Sequence, residues 1–214
     1  MREDKKFDVM RFLVGPLDVN AYLVIDKATK EAFLVDPGGD PREIKEAVKK
    51  SGADLKFIIN THGHGDHIIA DDSFGVPLYI HKDDARFLKD PYLNLSGDFG
   101  LPLKIKTEPK LLSDGDTIPI GNSRISIIHT PGHTPGGICI VLGNIIFTGD
   151  TLFSGSIGRT DFPDGNQEKL LMSINKRLLK FKDDTLILPG HGGSSTIGEE
   201  RVNNPFLGDD QSYI

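Results

Sequence analysis

The stretch THGHGDH at residues 61–67 decides how this sequence is interpreted. It holds four side chains of the kind that bind metals, His62, His64, Asp66 and His67, separated by two glycines. In an extended segment, residues two apart point the same way, so His62 and His64 can hold one ion together. If the chain then turns into a helix, Asp66 and His67 reach an adjacent point. A polar surface loop is the plain alternative, and the density of donors favours a metal site over it.

Three further donors follow later in the chain, each beside glycine at the end of a predicted strand. They are His133 in PGHTPGG, Asp150 in TGDT and His191 in PGHGG. Glycine lets such loops bring side chains close together, which predicts one site at one edge of the sheets. The combined set can serve two ions with about four ligands each, provided that one carboxylate bridges them. Imidazole and carboxylate ligands suit Zn, Fe or Mn.

The composition predicts an ordinary globular chain. The length of 214 residues fits one domain, predicted over residues 1–214, with 37% apolar and 26% charged residues. A net charge of −6 argues against nucleic acid and anionic membranes as partners. No apolar run approaches the roughly 20 residues that a membrane span needs, and the charged start MREDKKFD predicts no signal peptide. The single cysteine, Cys139, is predicted to be a buried strand residue, and the protein to be cytoplasmic.

The spacing of apolar residues changes often along the chain, which is typical of a mixed α/β (α+β) fold. Because strands come in groups before each helix, we expect meandering sheets with helices outside them and no alternating βαβ units. Strands are predicted at 7–14, 20–26, 32–35, 55–62, 76–80, 108–112, 116–120, 123–129, 137–142, 144–148 and 185–190. Helices are predicted at 41–51, 66–73, 82–89, 166–180 and 197–203.

THGHGDH, with the three later donors and with Asp36 in VDPGG, resembles the five motifs of the metallo-β-lactamase superfamily. The resemblance covers about residues 8–207 and implies an αββα four-layer sandwich with a metal site at one edge of the two sheets. Ala70 stands where many members have glycine, outside the ligand set. Asp36 would lie behind the ligands and orient them.

The same resemblance implies a role for each donor. His62, His64 and His133 would hold the first ion. Asp66, His67 and His191 would hold the second, and Asp150 would bridge the two. Asp66 would also orient a metal-bridging hydroxide. Two divalent ions generate a nucleophile from water and polarise a carbonyl, and the net positive charge of about +1 that remains would attract an anionic substrate.

The segments TGDTLFSGSIGRTDFP and GHGGSSTIGEERVNNPF are similar to the glyoxalase II (hydroxyacylglutathione hydrolase) group, in a compact form without its C-terminal helical region. This similarity implies hydrolysis of a thioester such as S-lactoylglutathione, whose thiolate leaves without much help from an acid. Zinc is the first choice of metal. Arg159 could bind a substrate carboxylate, or it could brace its loop against Asp161.

Other activities stay open at this point. GRTDF also resembles the persulfide dioxygenases, in which His62, His133 and Asp150 would bind a single Fe(II). TPGHTPGG and GEERVNNPF favour the hydrolase. A lactonase or β-lactamase, or a metal-binding module without catalysis, ranks lower. Of the remaining histidines, His81 is expected to brace the following helix and His129 to pack under the loop that carries His133.

Overall fold

The computed structural model describes residues 6–98 and 100–207. Both ends of the predicted domain, with most of the charged N-terminal run, lie outside the described residues. Within them the framework is two six-stranded sheets and a short ribbon. The first sheet keeps chain order: β1 (Phe7–Val14), β2 (Val19–Asp26), β3 (Glu31–Val35), β4 (Asp54–Ile59), β5 (Leu78–His81) and β6 (Lys110–Leu112). The second has the order β14 (Ser195–Thr196), β13 (Leu186–Pro189), β10 (Ile145–Gly149), β9 (Ile138–Leu142), β8 (Ser123–His129) and β7 (Thr117–Ile120). The ribbon pairs β11 (Leu152–Phe153) with β12 (Ser156–Ile157).

The helices cover the outer faces of the sheets. They are α1 (Arg42–Ser51), α2 (Gly65–Ile68), α3 (Gln167–Ser173) and α4 (Ile197–Asn203). Alternate residues of β3 face opposite ways, so that Phe33 packs in the core between the sheets while Leu34 packs with Ile44 of α1. On the second sheet, Ile146 packs with Leu170 of α3. The order of layers is therefore helix, sheet, sheet, helix, and the expected αββα sandwich is confirmed.

The expectation of sheets without βαβ units is wrong. Strands β3 and β4 are parallel, as are β4 with β5, β5 with β6, and β10 with β13. A parallel pair needs a long crossover, and the segment 36–53 that contains α1 provides one over the outer face. Strands that follow one another directly, β1 to β3, form antiparallel hairpins as their grouping indicates. The grouping does not show how a strand after a helix pairs with the strand before it. The carboxyl ends of β3, β4 and β5 consequently meet at one edge of the first sheet.

Three predicted helices differ from the structure. The segment 82–89 forms only a 3₁₀ helix, Ala85–Lys89. It ends at Asp90, which has extended backbone because it precedes a proline. The segment 66–73 is divided because the Ala70 amide donates to Pro37 O at 2.9 Å instead of continuing α2. Helix α3 continues as a π-helix, Ile174–Leu178. Among the described helices, none combines the length and apolar content that a membrane crossing needs.

Candidate metal centre

The predicted donors lie where strands of both sheets end. Asp36 directly follows β3, and the stretch from His62 to His67 follows β4. On the other sheet, Asp150 directly follows β10 and His191 follows β13. Since each of these two strand pairs is parallel, its carboxyl ends lie side by side. The two sheets thus present their donors at the same edge of the sandwich.

Six of the seven predicted donors form two groups of three. One ligand atom from each of His62, His64 and His133 lies within 4.8 Å of the others, and the same holds for Asp66, His67 and His191. In the first group, His64 Nδ1 and His133 Nε2 are only 2.9 Å apart. The two groups coincide with those that the resemblance implies. Their assignment to two ions stays a prediction.

Asp150 stands between the two groups. Its Oδ2 lies 3.6 Å from His133 Nε2 and 3.6 Å from His191 Nε2, and its Oδ1 lies 3.5 Å from His67 Nε2. One carboxylate therefore faces both sets of imidazoles. This is the position that a bridging ligand needs.

Three atoms at the centre of the site are buried without a hydrogen-bond partner. They are Nε2 of His62, Nε2 of His67 and Oδ1 of Asp150. Leaving a buried polar atom unpaired costs about 1–3 kcal/mol, so three together indicate a ligand that would satisfy them. All three carry lone pairs, and they face one another across the site. The donor set therefore fits a divalent cation.

The pKa shifts agree with metal binding. Burial, followed by the neighbouring imidazoles, lowers the pKa of His62 and His64, which keeps both rings neutral and able to bind a metal. Burial opposes charge on His67 as well, but Asp66, Asp150 and Asp36 raise its pKa to about 10. Against burial, His67 and His191 lower the pKa of Asp66. Carboxylates thus favour positive charge around His67, whether it is a proton or a metal ion.

Most ligand rings are oriented by a partner on their far side. Asp36, at φ +48°, accepts from the Thr61 amide at 2.7 Å and lies 3.0 Å from His67 Nδ1. His133 Nδ1 donates to Arg159 O at 2.7 Å, and His191 Nδ1 donates to Leu17 O at 3.1 Å. Such contacts leave Nε2 of each ring facing the centre. The contacts of Asp36 fit the supporting role predicted for it.

The sequence analysis misses two residues that matter for the site. Asp84 is fully buried and accepts hydrogen bonds from the loops that carry His62 and His133. Asn20 donates through Nδ2 to Pro189 O and to Gly192 O, both at 2.9 Å, and so holds the turn around His191. Their partners lie far away along the chain. For Asn20 the one local hint is its amide at the start of NAYLVID, directly before the apolar run from Ala21 to Ile25.

Arg159 is exposed and paired. Its guanidinium donates to Asp161 at 2.9 and 2.8 Å and lies 4.3 Å from the centre of the Phe162 ring. Phe162 in turn contacts the rings of His64 and His133, at 5.5 and 6.1 Å between ring centres. The brace against Asp161 is thus present, and a role in substrate binding stays a prediction.

The remaining candidates play structural parts. Cys139 is buried in β9, as predicted, and burial raises the pKa of its thiol to about 11. His129 Nε2 donates to Pro135 O at 2.8 Å, beneath the loop of His133, also as predicted. The rings of His81 and His129 stack 4.0 Å apart at 13°. One ligand atom from each of His81, Asp83 and His129 lies within 4.8 Å of the others, but His81 Nδ1 already accepts from the Asp83 amide at 3.3 Å and His129 Nε2 is taken by Pro135 O.

Residues 14–191 match the family described as the metallo-beta-lactamase superfamily. The chain belongs to this superfamily. It is 37% identical over 204 residues to the probable metallo-hydrolase YqgX of Bacillus subtilis, covering 92% of this chain and 96% of that one. It is 38% identical over 186 residues to the hydroxyacylglutathione hydrolase GloC of Haemophilus influenzae, covering 83% and 88%.

Solved structures of this superfamily share the fold. The BLEG-1 B3 metallo-beta-lactamase matches with a TM-score of 0.89 at 36% identity, over 94% of this chain and 99% of that one. TTHA1623, solved in a di-iron-bound form, matches with 0.83 at 33% identity, over 93% and 100%. ETHE1 from Myxococcus xanthus matches with 0.76 at 26% identity, over 92% and 83%.

Proposed function

We propose that this protein is a hydrolase that uses two divalent metal ions to cleave an anionic thioester such as S-lactoylglutathione. The position of Asp150 between two complete donor groups carries the proposal, since a bridging carboxylate is what a two-metal site requires. The likeness to GloC, a hydroxyacylglutathione hydrolase, supports the thioester. Zinc suits the imidazole and carboxylate set, and the likeness to the di-iron form of TTHA1623 makes iron the second choice.

The residues of the site divide the work. His62, His64 and His133 would hold one ion, Asp66, His67 and His191 the other, and Asp150 both. When bound, such ions polarise the acyl carbonyl and lower the pKa of the attacking water. Asp66, whose pKa is lowered, stays ionised and can accept a hydrogen bond from that water. The leaving thiol has a pKa of about 8.5, so it can leave as the thiolate without taking up a proton. A thioester therefore does not require a general acid.

The first test is thioester hydrolysis by protein of measured metal content. We expect about two ions per chain by elemental analysis and a kcat/KM on the order of 10⁴ M⁻¹s⁻¹ or higher with S-D-lactoylglutathione. Asp150→Asn should lose at least about 100-fold in kcat/KM, because both ions lose a ligand. The control is Asp54→Asn. Asp54 is exposed at the start of β4, whereas the metal donors follow the end of that strand, so this variant should act like the wild type.

Two other substrates distinguish the alternatives. The likeness to BLEG-1 favours a β-lactam as the second candidate, tested with a chromogenic cephalosporin. The likeness to ETHE1, together with the His62, His133 and Asp150 set, suggests persulfide oxidation by one iron, tested by oxygen uptake with glutathione persulfide. Turnover of either compound, without turnover of the thioester, would reject the proposed substrate.

A further inference from the structure

Asp84 joins the two loops that carry the first donor group. Its Oδ2 accepts from the Gly63 amide at 3.0 Å and from the Thr134 hydroxyl at 2.7 Å, and its Oδ1 accepts from the Gly136 amide at 2.6 Å. Gly63 lies between His62 and His64, and Thr134 directly follows His133. Burial raises the pKa of Asp84 to about 6, and the three donors act against that rise. Because all three partners are N–H or O–H donors, both oxygens of the side chain act here as acceptors.

The glycines of both loops allow this close approach. A Cβ at Gly136 would lie 2.6 Å from the Asp84 backbone nitrogen and 2.7 Å from its Cγ. A Cβ at Gly63 would lie 2.4 Å from the Cβ of Phe87, one turn further along the same segment. Real side chains do not tolerate these distances. Both loops are therefore seated directly on the segment that Asp84 begins.

The second donor group has other supports. His67 is oriented by Asp36, and the turn of His191 is held by Asn20 and by Leu17 O. The structure gives Asp84 no hydrogen bond to Asp66, His67 or His191. Asp36 also reaches the first group, since the Thr61 hydroxyl donates to it and lies 3.2 Å from His62 Nδ1. The contacts of Asp84, in contrast, go to the loops of His62, His64 and His133.

We propose that Asp84 is a positioning residue for the ion held by His62, His64 and His133, and that it has no such role for the second ion. The inference rests on the metal sites of the proposed function and is independent of the substrate. An asparagine would keep the shape, but its amide would offer one acceptor atom where the carboxylate offers two. Either the Gly63 or the Gly136 amide would then face an NH₂ group, and one loop would shift.

Metal affinity measured ion by ion tests the proposal. In Asp84→Asn, chelator competition should show one ion bound as in the wild type and the other weakened about 10–100-fold, the usual effect of losing an outer partner. The matched control is Asp83→Asn, the same change in the preceding, half-exposed carboxylate, which should retain both affinities. Thr134→Val removes one of the three bonds and leaves both backbone partners; it should weaken the same ion to a smaller extent.

Cobalt loading identifies which ion is lost. In proton NMR of Co(II)-loaded protein, the first group contributes three imidazole N–H signals shifted by the metal, and the second contributes two. With one equivalent of Co(II), Asp84→Asn should show the two signals of His67 and His191. Equal weakening of both ions, no weakening, or selective loss of those two signals would overturn the inference. Because no substrate enters this experiment, a failure of thioester hydrolysis would not change its outcome.

Discussion

At the residue scale, the stacked pair of His81 and His129 links the end of β5 to the end of β8. The rings lie 4.0 Å apart, and His81 is 1% exposed. Burial, followed by the charge that His129 would carry, lowers the pKa of His81 to about 4. The charged groups facing the pair are Asp83, Lys82 and Asp114. A proton on His81 would be buried and would face the His129 ring, so the stack disfavours the charged form of His81.

This stack predicts acid sensitivity. The unfolded chain takes up a proton on His81 near its ordinary pKa of 6.5, whereas the folded chain does so only near pH 4. Lowering the pH through this range therefore favours the unfolded chain, by up to about 3 kcal/mol at pH 4. His81→Phe keeps a stacked ring that cannot titrate. Its free energy of unfolding should fall less than that of the wild type between pH 7 and pH 4.

Urea unfolding of both metal-free chains at several pH values provides the measurement. The histidines of the metal centre are common to the two proteins, so their titration cancels in the difference. An identical loss of stability in both chains would show that His81 does not titrate as expected.

The sequence was informative about single residues where the chemistry is local. Four donors in one short stretch, and glycine beside each later donor, were enough to predict the whole set that the structure brings together. Asp84 could not be predicted in this way, because its partners lie 21 and 50 residues away and no neighbouring residue marks it.

At the element scale, the start of α3 packs on the loop that carries His133. The Asn166 side chain caps the helix by accepting from the Lys169 amide at 2.8 Å, and the Asn166 amide donates to Gly132 O at 2.7 Å. Gly132 has φ +144°, and a Cβ there would lie 2.3 Å from the Leu170 backbone nitrogen. The helix and the metal loop are thus in contact through backbone atoms.

Gly132→Ala should therefore disturb both elements. We expect a loss of at least about 1–3 kcal/mol in the free energy of unfolding, as for other overpacked sites, together with weaker metal binding through the shifted His133. Gly143→Ala serves as the control, since Gly143 also has a positive φ but a Cβ there meets nothing within 4 Å. Thermal melts and metal titrations of the two variants provide the measurement. Gly132→Ala adds a steric clash to the backbone strain, whereas Gly143→Ala adds the strain alone. Equal metal affinity in both would contradict this account.

The sequence indicates which segments are strands better than it indicates which strands pair with each other. Nearly every predicted strand exists, with ends shifted by a few residues, because apolar alternation is a local property. The parallel pairing of β3 with β4 and of β10 with β13 depends on crossovers over the outer faces. A pattern within a strand does not contain that information.

At the scale of the whole molecule, one apolar core joins the two sheets. Phe147 of β10 lies at its centre, 5.2 Å from the ring of Tyr22 and 6.2 Å from that of Phe33, both on the first sheet. These aromatic rings, with the aliphatic side chains around them, form a continuous cluster that contains residues of both sheets. The core supports the prediction that residues 1–214 form one domain, which stays a prediction.

Phe147→Ala tests whether the two sheets unfold together as one unit. Removing a buried phenylalanine costs about 3–5 kcal/mol, and because the ring touches both sheets, unfolding should remain a single transition at a lower temperature. Calorimetry and circular dichroism should give the same midpoint. Two separate transitions would mean that the sheets unfold independently. Phe206→Ala, at a side chain 47% exposed, should change the midpoint little.

The division of the sheets follows the chain, with the first sheet within residues 7–112 and the second within residues 117–196. Four of the seven donors come from the first part and three from the second. A chain cut in the turn between β6 and β7 would give two fragments, each with an incomplete coordination shell. Two ions would then bind only when the fragments reassociate. Metal binding would therefore measure how completely the two fragments re-form the protein.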